Sequence, residues 1–183
     1  MVGPSTPRAP WSGSTWLKGL VFGGWLVGCD AWVKITARAA TCPDTPSIGK
    51  AVGLVWNVPP GCSEADFWGF AQLSPTVRDG GLLGLGGGLL GAGAGQGWAI
   101  ALLAMAAIVS VLVVRWRWRS VGDASALGAL WGGTVILAGP RLLGDGTGMA
   151  ELQLGGVATG LGDLALLWAL VWLGWRLLAE LRA

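Results

Sequence analysis

Two acidic residues stand inside long apolar stretches of this sequence, Asp30 and Asp163. An ionisable side chain at membrane depth is costly to bury, so it is by default a candidate functional residue. Asp30 has Lys34 four residues away, a helical spacing at which the two side chains can form an ion pair. Asp163 has no cation close to it in sequence, so it needs a partner from another segment or must stay protonated. The spacing therefore favours a supporting role for Asp30 with Lys34 and a functional role for Asp163.

The residue inventory excludes several kinds of chemistry. The chain has no histidine, which rules out Ser-His and Cys-His nucleophile pairs and histidine metal sites. Its three cysteines have no zinc-binding spacing. We therefore expect no metal and no cofactor. A net charge of +2 is too small to indicate nucleic acid as a partner.

The composition predicts an integral membrane protein. Of 183 residues, 53% are hydrophobic and 12% are charged, whereas a soluble domain carries about 25% charged residues. Four apolar runs approach the ~20 residues that a helix needs to cross a bilayer. They cover about 16–35, 98–114, 124–143 and 157–175. We predict one all-α domain of four membrane helices over 16–183, and a disordered cytoplasmic tail over 1–15.

The positive charges predict the orientation of these spans. Arg115, Arg117 and Arg119 lie between the second and third runs, and basic links between membrane helices stay on the cytoplasmic side. Basic residues also precede the first run and close the fourth. These signals agree on a topology with both termini in the cytoplasm.

Two segments then face the outer side. The first, about 36–97, carries Cys42 and Cys62, which we expect to form a disulfide because this compartment permits oxidation. We also expect a small extended region in this segment. Its glycine-rich part, 80–97, is either a loop or a re-entrant piece, with a loop favoured because glycine is a poor helix former. The second outer segment, about 144–156, is short and carries Asp145 and Glu151.

Small residues recur at four-residue spacing in the first and third runs, as in Gly128-Ala-Leu-Trp-Gly132. Such spacing lets helix backbones approach closely. In so glycine-rich a chain we read it only as a packing feature.

Several short motifs, in order along the chain, resemble those of lipoprotein signal peptidase, also called signal peptidase II. That family has four spans with both termini cytoplasmic. One motif match is only an asparagine, Asn57. The stronger matches are Asp30-Ala-Trp-Val-Lys34, Ala94-Gly95-Gln96-Gly97-Trp98, the run from Gly132-Gly133 to Arg141, and Asp163-Leu-Ala-Leu.

The resemblance implies a catalytic pair of carboxylates of which Asp163 is one. The partner position has two candidates. Glu151 resembles the family's segment in its neighbouring residues, whereas Asp145 has the better separation from Asp163 along the chain. The resemblance also implies that Asp30, Lys34, Asn57 and Arg141 support the site or contact the substrate. If the catalytic pair is lost, we expect Asp163 to bond to backbone or hydroxyl groups or to pair with Arg141, which ends the third run on the same outer side.

The sequence departs from the family at positions that catalysis needs. Leu137 and Pro140 stand where the family has Asn and Asp in the third span, and Gly160 stands where it has Asn before Asp163. An aspartyl pair works because two carboxylates share one proton. Glu151 could supply the charge, but an ångström of misplacement can cost about a hundredfold in rate.

Two functional hypotheses follow. The favoured one is a signal peptidase II-like protein with an eroded aspartyl pair, acting as a non-catalytic subunit or binding protein of a membrane complex. The alternative is an active aspartic endopeptidase that cleaves the signal peptides of lipid-modified prolipoproteins. The expected partners are membrane lipids and either a prolipoprotein or other membrane subunits, and the expected location is the bacterial inner membrane. A transporter is disfavoured, because there are few intramembrane charges and no evident inverted repeat.

Overall fold

The computed structural model describes residues 13–41, 65–67, 71–78, 94–115, 120–143, 148–154 and 157–182. They form four helices and four strands. The helices are α1 (Gly13–Thr41), α2 (Ala94–Arg115), α3 (Val121–Leu143) and α4 (Leu161–Leu181). The strands are β1 (Ala65–Phe67), β2 (Ala71–Arg78), β3 (Gly148–Leu154) and β4 (Val157–Thr159).

Three of the described helices, α2, α3 and α4, are long and apolar enough to cross a membrane. The first helix is the longest, with 29 residues, but Lys18, Asp30 and Lys34 interrupt its apolar surface. Apolar side chains cover the outside of the bundle, and Leu20, Trp32 and Val171 are each about 70% exposed. That pattern suits a lipid surrounding, and the predicted four-helix membrane fold is confirmed.

Helix α3 is the central element of the bundle, because it contacts each of the other three helices extensively. Most of its surface is buried inside the protein, whereas α2 and α4 are largely exposed. Its contact with α1 consists of glycine backbones. A side chain added at Gly19 would meet the carbonyl oxygen of Ala124 at 2.6 Å, and one added at Gly23 would meet that of Gly128 at 2.7 Å. The small-residue spacing is therefore used for packing, as predicted.

This contact also fixes the relative direction of α1 and α3. Gly19 lies beside Ala124, and Gly23 lies beside Gly128, so both helices advance in the same direction. Helix α2 runs the opposite way and is joined to α3 by a hydrogen bond of 2.9 Å from Trp131 Nε1 to Ser110 Oγ. We call the end of the bundle where α1 and α3 end and α2 and α4 begin the outer end, and the opposite end the inner end.

A four-stranded antiparallel sheet joins the two outer segments, in the order β1-β2-β3-β4. The extended region is thus larger than predicted, because β3 and β4 come from the second outer segment. The predicted fourth span, 157–175, began too early: Val157–Thr159 pair with β3 as a strand, and α4 begins at Leu161.

The pairing of β2 with β3 shifts between Leu73 and Thr76. Pro75 lies at this shift and has no N–H to donate to a partner strand.

Candidate functional site at the outer end

Asp30 and Lys34 form a buried ion pair near the outer end of α1. Lys34 Nζ donates a hydrogen bond of 2.5 Å to Asp30 Oδ2, and both side chains are nearly inaccessible. The i, i+4 spacing on one helix places the two groups on the same face. The ammonium group therefore compensates the Asp30 charge inside the bundle, although only one of the two carboxylate oxygens is used by this bond.

Asp163 lies in the first turn of α4 and is fully buried. Its Oδ2 accepts a hydrogen bond of 3.0 Å from the backbone N–H of Gly160, the residue that caps the helix. A carboxylate at a helix N-terminus is stabilised by the helix dipole and by the backbone N–H groups that lack partners there. The start of α4 thus fixes the orientation of the Asp163 carboxylate.

Asp30 and Asp163 lie at the same depth in the bundle. On α1, Leu26 packs beside Gly132 of α3. Asp30 lies one helical turn after Leu26, and Ile136 lies one turn after Gly132, so Asp30 is level with Ile136. On α4, Gly162 packs against Ile136 and Leu137. The outer end therefore brings together two acids that are distant in sequence.

Leu137 of α3 packs beside Gly162, the residue that precedes Asp163 at the start of α4. A side chain added at Gly162 would meet Leu137 Cγ at 3.1 Å, and Leu137 belongs to the main hydrophobic core. At this position the resemblance found in the sequence predicts an asparagine. An amide there could donate to a carboxylate, whereas the leucine packs against its neighbours.

Arg141 is fully buried one turn beyond Leu137, close to the outer end of α3. Its guanidinium donates a hydrogen bond of 2.5 Å from Nη1 to the carbonyl oxygen of Leu137. Pro140 precedes it inside the helix and cannot donate a backbone hydrogen bond. The arginine thus bonds to a carbonyl group in the last turn of α3.

The sheet brings Glu151 toward Asp163. On β3, Leu152 pairs with Thr159 of β4, so the backbone of Glu151 follows directly alongside Gly160, which Asp163 contacts. Paired residues in an antiparallel sheet have Cα atoms about 5 Å apart. Of the two candidate partners for Asp163, Glu151 is therefore placed beside the start of α4, and Asp145 lies outside the described residues.

Asn57, Cys42 and Cys62 also lie outside the described residues, so the predicted disulfide stays a prediction. Cys29 is half-buried and has a free thiol.

One buried polar cluster was not predicted, because the third apolar run starts one residue after Asp123. This fully buried aspartate accepts hydrogen bonds from Trp172 Nε1 and Arg176 Nε, both at 3.1 Å. Its other oxygen accepts the backbone N–H of Ser120 at 2.9 Å, and Ser120 Oγ accepts the N–H of Asp123 at 3.0 Å. The sequence signal was the spacing Ser-x-x-Asp, a reciprocal cap at a helix start.

Comparison with known proteins gives a fold but no family. No protein-family model and no curated protein matches the chain. Two solved structures do, each described as a bacterial membrane enzyme. One, determined at 2.3 Å resolution, has a TM-score of 0.60 and 12% identity, over 96% of this chain and 94% of that one. The other, at 1.9 Å, has a TM-score of 0.63 and 13% identity, over 94% of this chain and 98% of that one. This protein is therefore a helical membrane protein with the fold of those two bacterial membrane enzymes.

Proposed function

We propose that this protein is a signal peptidase II-like membrane protein that binds its ligand at the outer end of the bundle without cleaving it. The ligand is a lipid-modified precursor protein or another membrane subunit. The observation that carries the proposal is the packing of Leu137 against Gly162, directly beside Asp163. At that place an aspartyl protease of the resembled type needs a polar group to orient the carboxylate.

The charges around Asp163 support the same conclusion. A catalytic aspartyl pair shares one proton between two carboxylates. Asp30 is the acid at the depth of Asp163, but Lys34 contacts its carboxylate at 2.5 Å. Asp163 itself is held by the backbone at the start of α4. Two carboxylates that are each engaged by a different partner are poorly placed to share a proton.

The structural neighbours support the membrane-protein fold on which this proposal is based. Both are described as bacterial membrane enzymes, and each aligns over more than nine-tenths of this chain. A fold hosts both active and inactive relatives, so the residues of the site decide between them. The buried outer-end cluster is retained in this chain, whereas the asparagines that the family pattern requires are replaced by Leu137 and Gly160.

The experiment incubates the purified protein with a diacylglyceryl-modified precursor peptide and measures both cleavage and binding. We expect saturable binding and no cleavage, and we expect Asp163→Asn to leave the absence of cleavage unchanged. Cleavage by the wild type that is lost in Asp163→Asn would overturn the proposal. Failure to bind the precursor would remove the precursor as ligand and leave co-purification of a membrane subunit as the deciding result.

One observation favours a second candidate, an aspartic endopeptidase that uses Glu151 with Asp163. The pairing of Leu152 with Thr159 carries the backbone of Glu151 to the residue that Asp163 contacts. In this alternative Glu151→Gln and Asp163→Asn each abolish cleavage. Glu151→Asp tests whether the longer side chain of glutamate compensates for the shortened outer segment. The change withdraws the carboxylate by about an ångström, so in this alternative it lowers the rate of cleavage about a hundredfold.

A further inference from the structure

A groove runs along the membrane-facing side of the bundle between α1 and α2. These two helices both pack on α3 but make almost no contact with each other. A strip of α3 therefore stays open between them, and Trp131 and Val135 on this strip are 40% and 46% exposed. The groove has a volume of about 480 Å³, and neither Asp30 nor Asp163 lines it.

Glycines make the floor of this groove. Gly19, Gly23 and Gly128 bring the backbones of α1 and α3 together, so no side chain fills the space above that contact. Gly24 lines the same groove, and a Cβ added there would meet nothing within 4 Å. The depth of the groove thus comes from missing side chains, and the space opens toward the membrane.

The groove occupies the inner half of the bundle. On α1 it extends from Trp16, near the start of the helix, to Val27, and on α3 it extends from Ala124 to Val135. At about 1.5 Å per residue, each stretch is about 16 Å long. The hydrocarbon core of a bilayer is about 30 Å thick. The groove therefore has about the length of one leaflet.

The width and the lining of the groove favour a single hydrocarbon chain. Spread over about 16 Å, the volume of about 480 Å³ gives a cross-section of about 30 Å². A helix with its side chains is about 10 Å across and needs about 80 Å². An extended peptide would need partners for its backbone at this depth. The Ser110 hydroxyl on the wall, however, already bonds to Trp131 and to the carbonyl of Ala106.

Positive charge lies at the inner end of both helices that form the walls. Lys18, near the start of α1, and Arg115, the last residue of α2, are exposed, and neither helix has an acidic residue near that end. Basic residues beside a membrane attract anionic lipid head groups. This charge matters because the tails of bulk lipid are as apolar as the groove, so a tail alone gains little by entering it.

We infer that the groove holds one acyl chain of an anionic phospholipid whose head group lies at the basic inner end. The lipid fills the gap between α1 and α2 and so stabilises the position of two helices that make almost no contact with each other. The site lies away from Asp30 and Asp163, and the inference does not depend on the proposed function.

Native mass spectrometry tests the inference on the purified protein, supplied in detergent with phosphatidylglycerol or with phosphatidylcholine. We expect phosphatidylglycerol to stay bound, and phosphatidylcholine to bind about tenfold more weakly because it carries no net charge. Equal retention of the two lipids would overturn the assignment of an anionic head group. A dimer without bound lipid would show that a second copy covers the groove and would overturn the inference.

Two glycines on α1 give a matched pair of variants. Gly24→Leu places a side chain inside the groove and should weaken the binding of phosphatidylglycerol about tenfold. Gly28→Leu adds the same side chain one turn later, where a Cβ also meets nothing within 4 Å but the residue does not line the groove. It should keep the wild-type affinity.

Val135→Phe fills the groove from α3 and should act like Gly24→Leu. A folding defect in one of these two variants therefore leaves the other decisive. Wild-type affinity for phosphatidylglycerol in both filling variants would overturn the inference, as would an equal loss of affinity in Gly28→Leu.

Charge variants test the head-group end of the site. Lys18→Gln combined with Arg115→Gln should remove most of the preference for phosphatidylglycerol, while the chain of either lipid still fits the groove. Arg182→Gln is the control, because it removes an exposed cation at the end of α4, which forms no wall of the groove. An unchanged lipid preference in the double variant would overturn the assignment of the head group to these two cations.

Discussion

Asp123, in the first turn of α3, accepts a hydrogen bond of 3.1 Å from Arg176 near the end of α4. The two residues tie together the inner ends of two helices that are distant in sequence. Trp172 donates to the same carboxylate oxygen, and its ring stacks on Trp168 one turn earlier. The inner end is thus closed by one fully bonded carboxylate.

Asp123→Asn should lower the stability of the bundle by about 2 kcal/mol, because it removes the charge that compensates Arg176 and weakens three hydrogen bonds. Thermal unfolding in detergent measures the change. Ser125→Ala is the matched control, since its hydroxyl bonds only to the carbonyl of Gly122 in the same helix. Equal melting temperatures for Asp123→Asn and the control would show that the cluster adds no stability.

Gly128→Ala should destabilise the contact between α1 and α3, because the added Cβ would overlap the backbone carbonyl of Gly19. Backbone atoms on both sides leave no flexible side chain to move, so we expect a loss of about 2 kcal/mol. Gly24→Ala is the control on the same pair of helices. Its Cβ would meet nothing within 4 Å, and alanine favours the helix by up to about 1 kcal/mol. A stable Gly128→Ala protein would contradict the close packing of these helices.

The difference between what was predicted and what was not has a physical basis. Four helices follow from apolar length alone, because a chain in lipid must satisfy its backbone internally. The pairing of Asp30 with Lys34 follows from helical spacing. The sheet was not predicted in full, because β1 and β4 have three residues each, too few for a clear alternation. The shared depth of Asp30 and Asp163 depends on how α1 and α4 pack on α3, and no spacing along the chain contains that information.

Asp30→Ala should reduce the yield of folded protein, because Lys34 would then lie buried without the carboxylate that contacts it at 2.5 Å. Breaking a buried pair from one side costs about 3–5 kcal/mol. The double variant Asp30→Ala with Lys34→Ala should recover part of that loss, since no charge from the pair remains. Yield after detergent extraction and the melting temperature give the comparison. A double variant less stable than Asp30→Ala would mean that Lys34 has another, more important partner.

The topology can be tested with single cysteines in a chain whose native cysteines are replaced. A cysteine at Ser120, beside the arginine-rich link, should resist an impermeant thiol reagent added from outside. A cysteine at Gly146, in the second outer segment, should react with it. These outcomes follow from the retention of basic links on the cytoplasmic side. Reaction of both positions from outside would contradict the four-span arrangement.

The central strands of the sheet come from distant parts of the chain. Strand β2 precedes α2, whereas its partner β3 follows α3, so neither can pair until two intervening helices have entered the membrane. During synthesis, Asp30 and Lys34 are inserted with the first helix, whereas Asp163 is inserted with the last. A nascent chain arrested before α4 would therefore contain the Asp30–Lys34 ion pair but not Asp163.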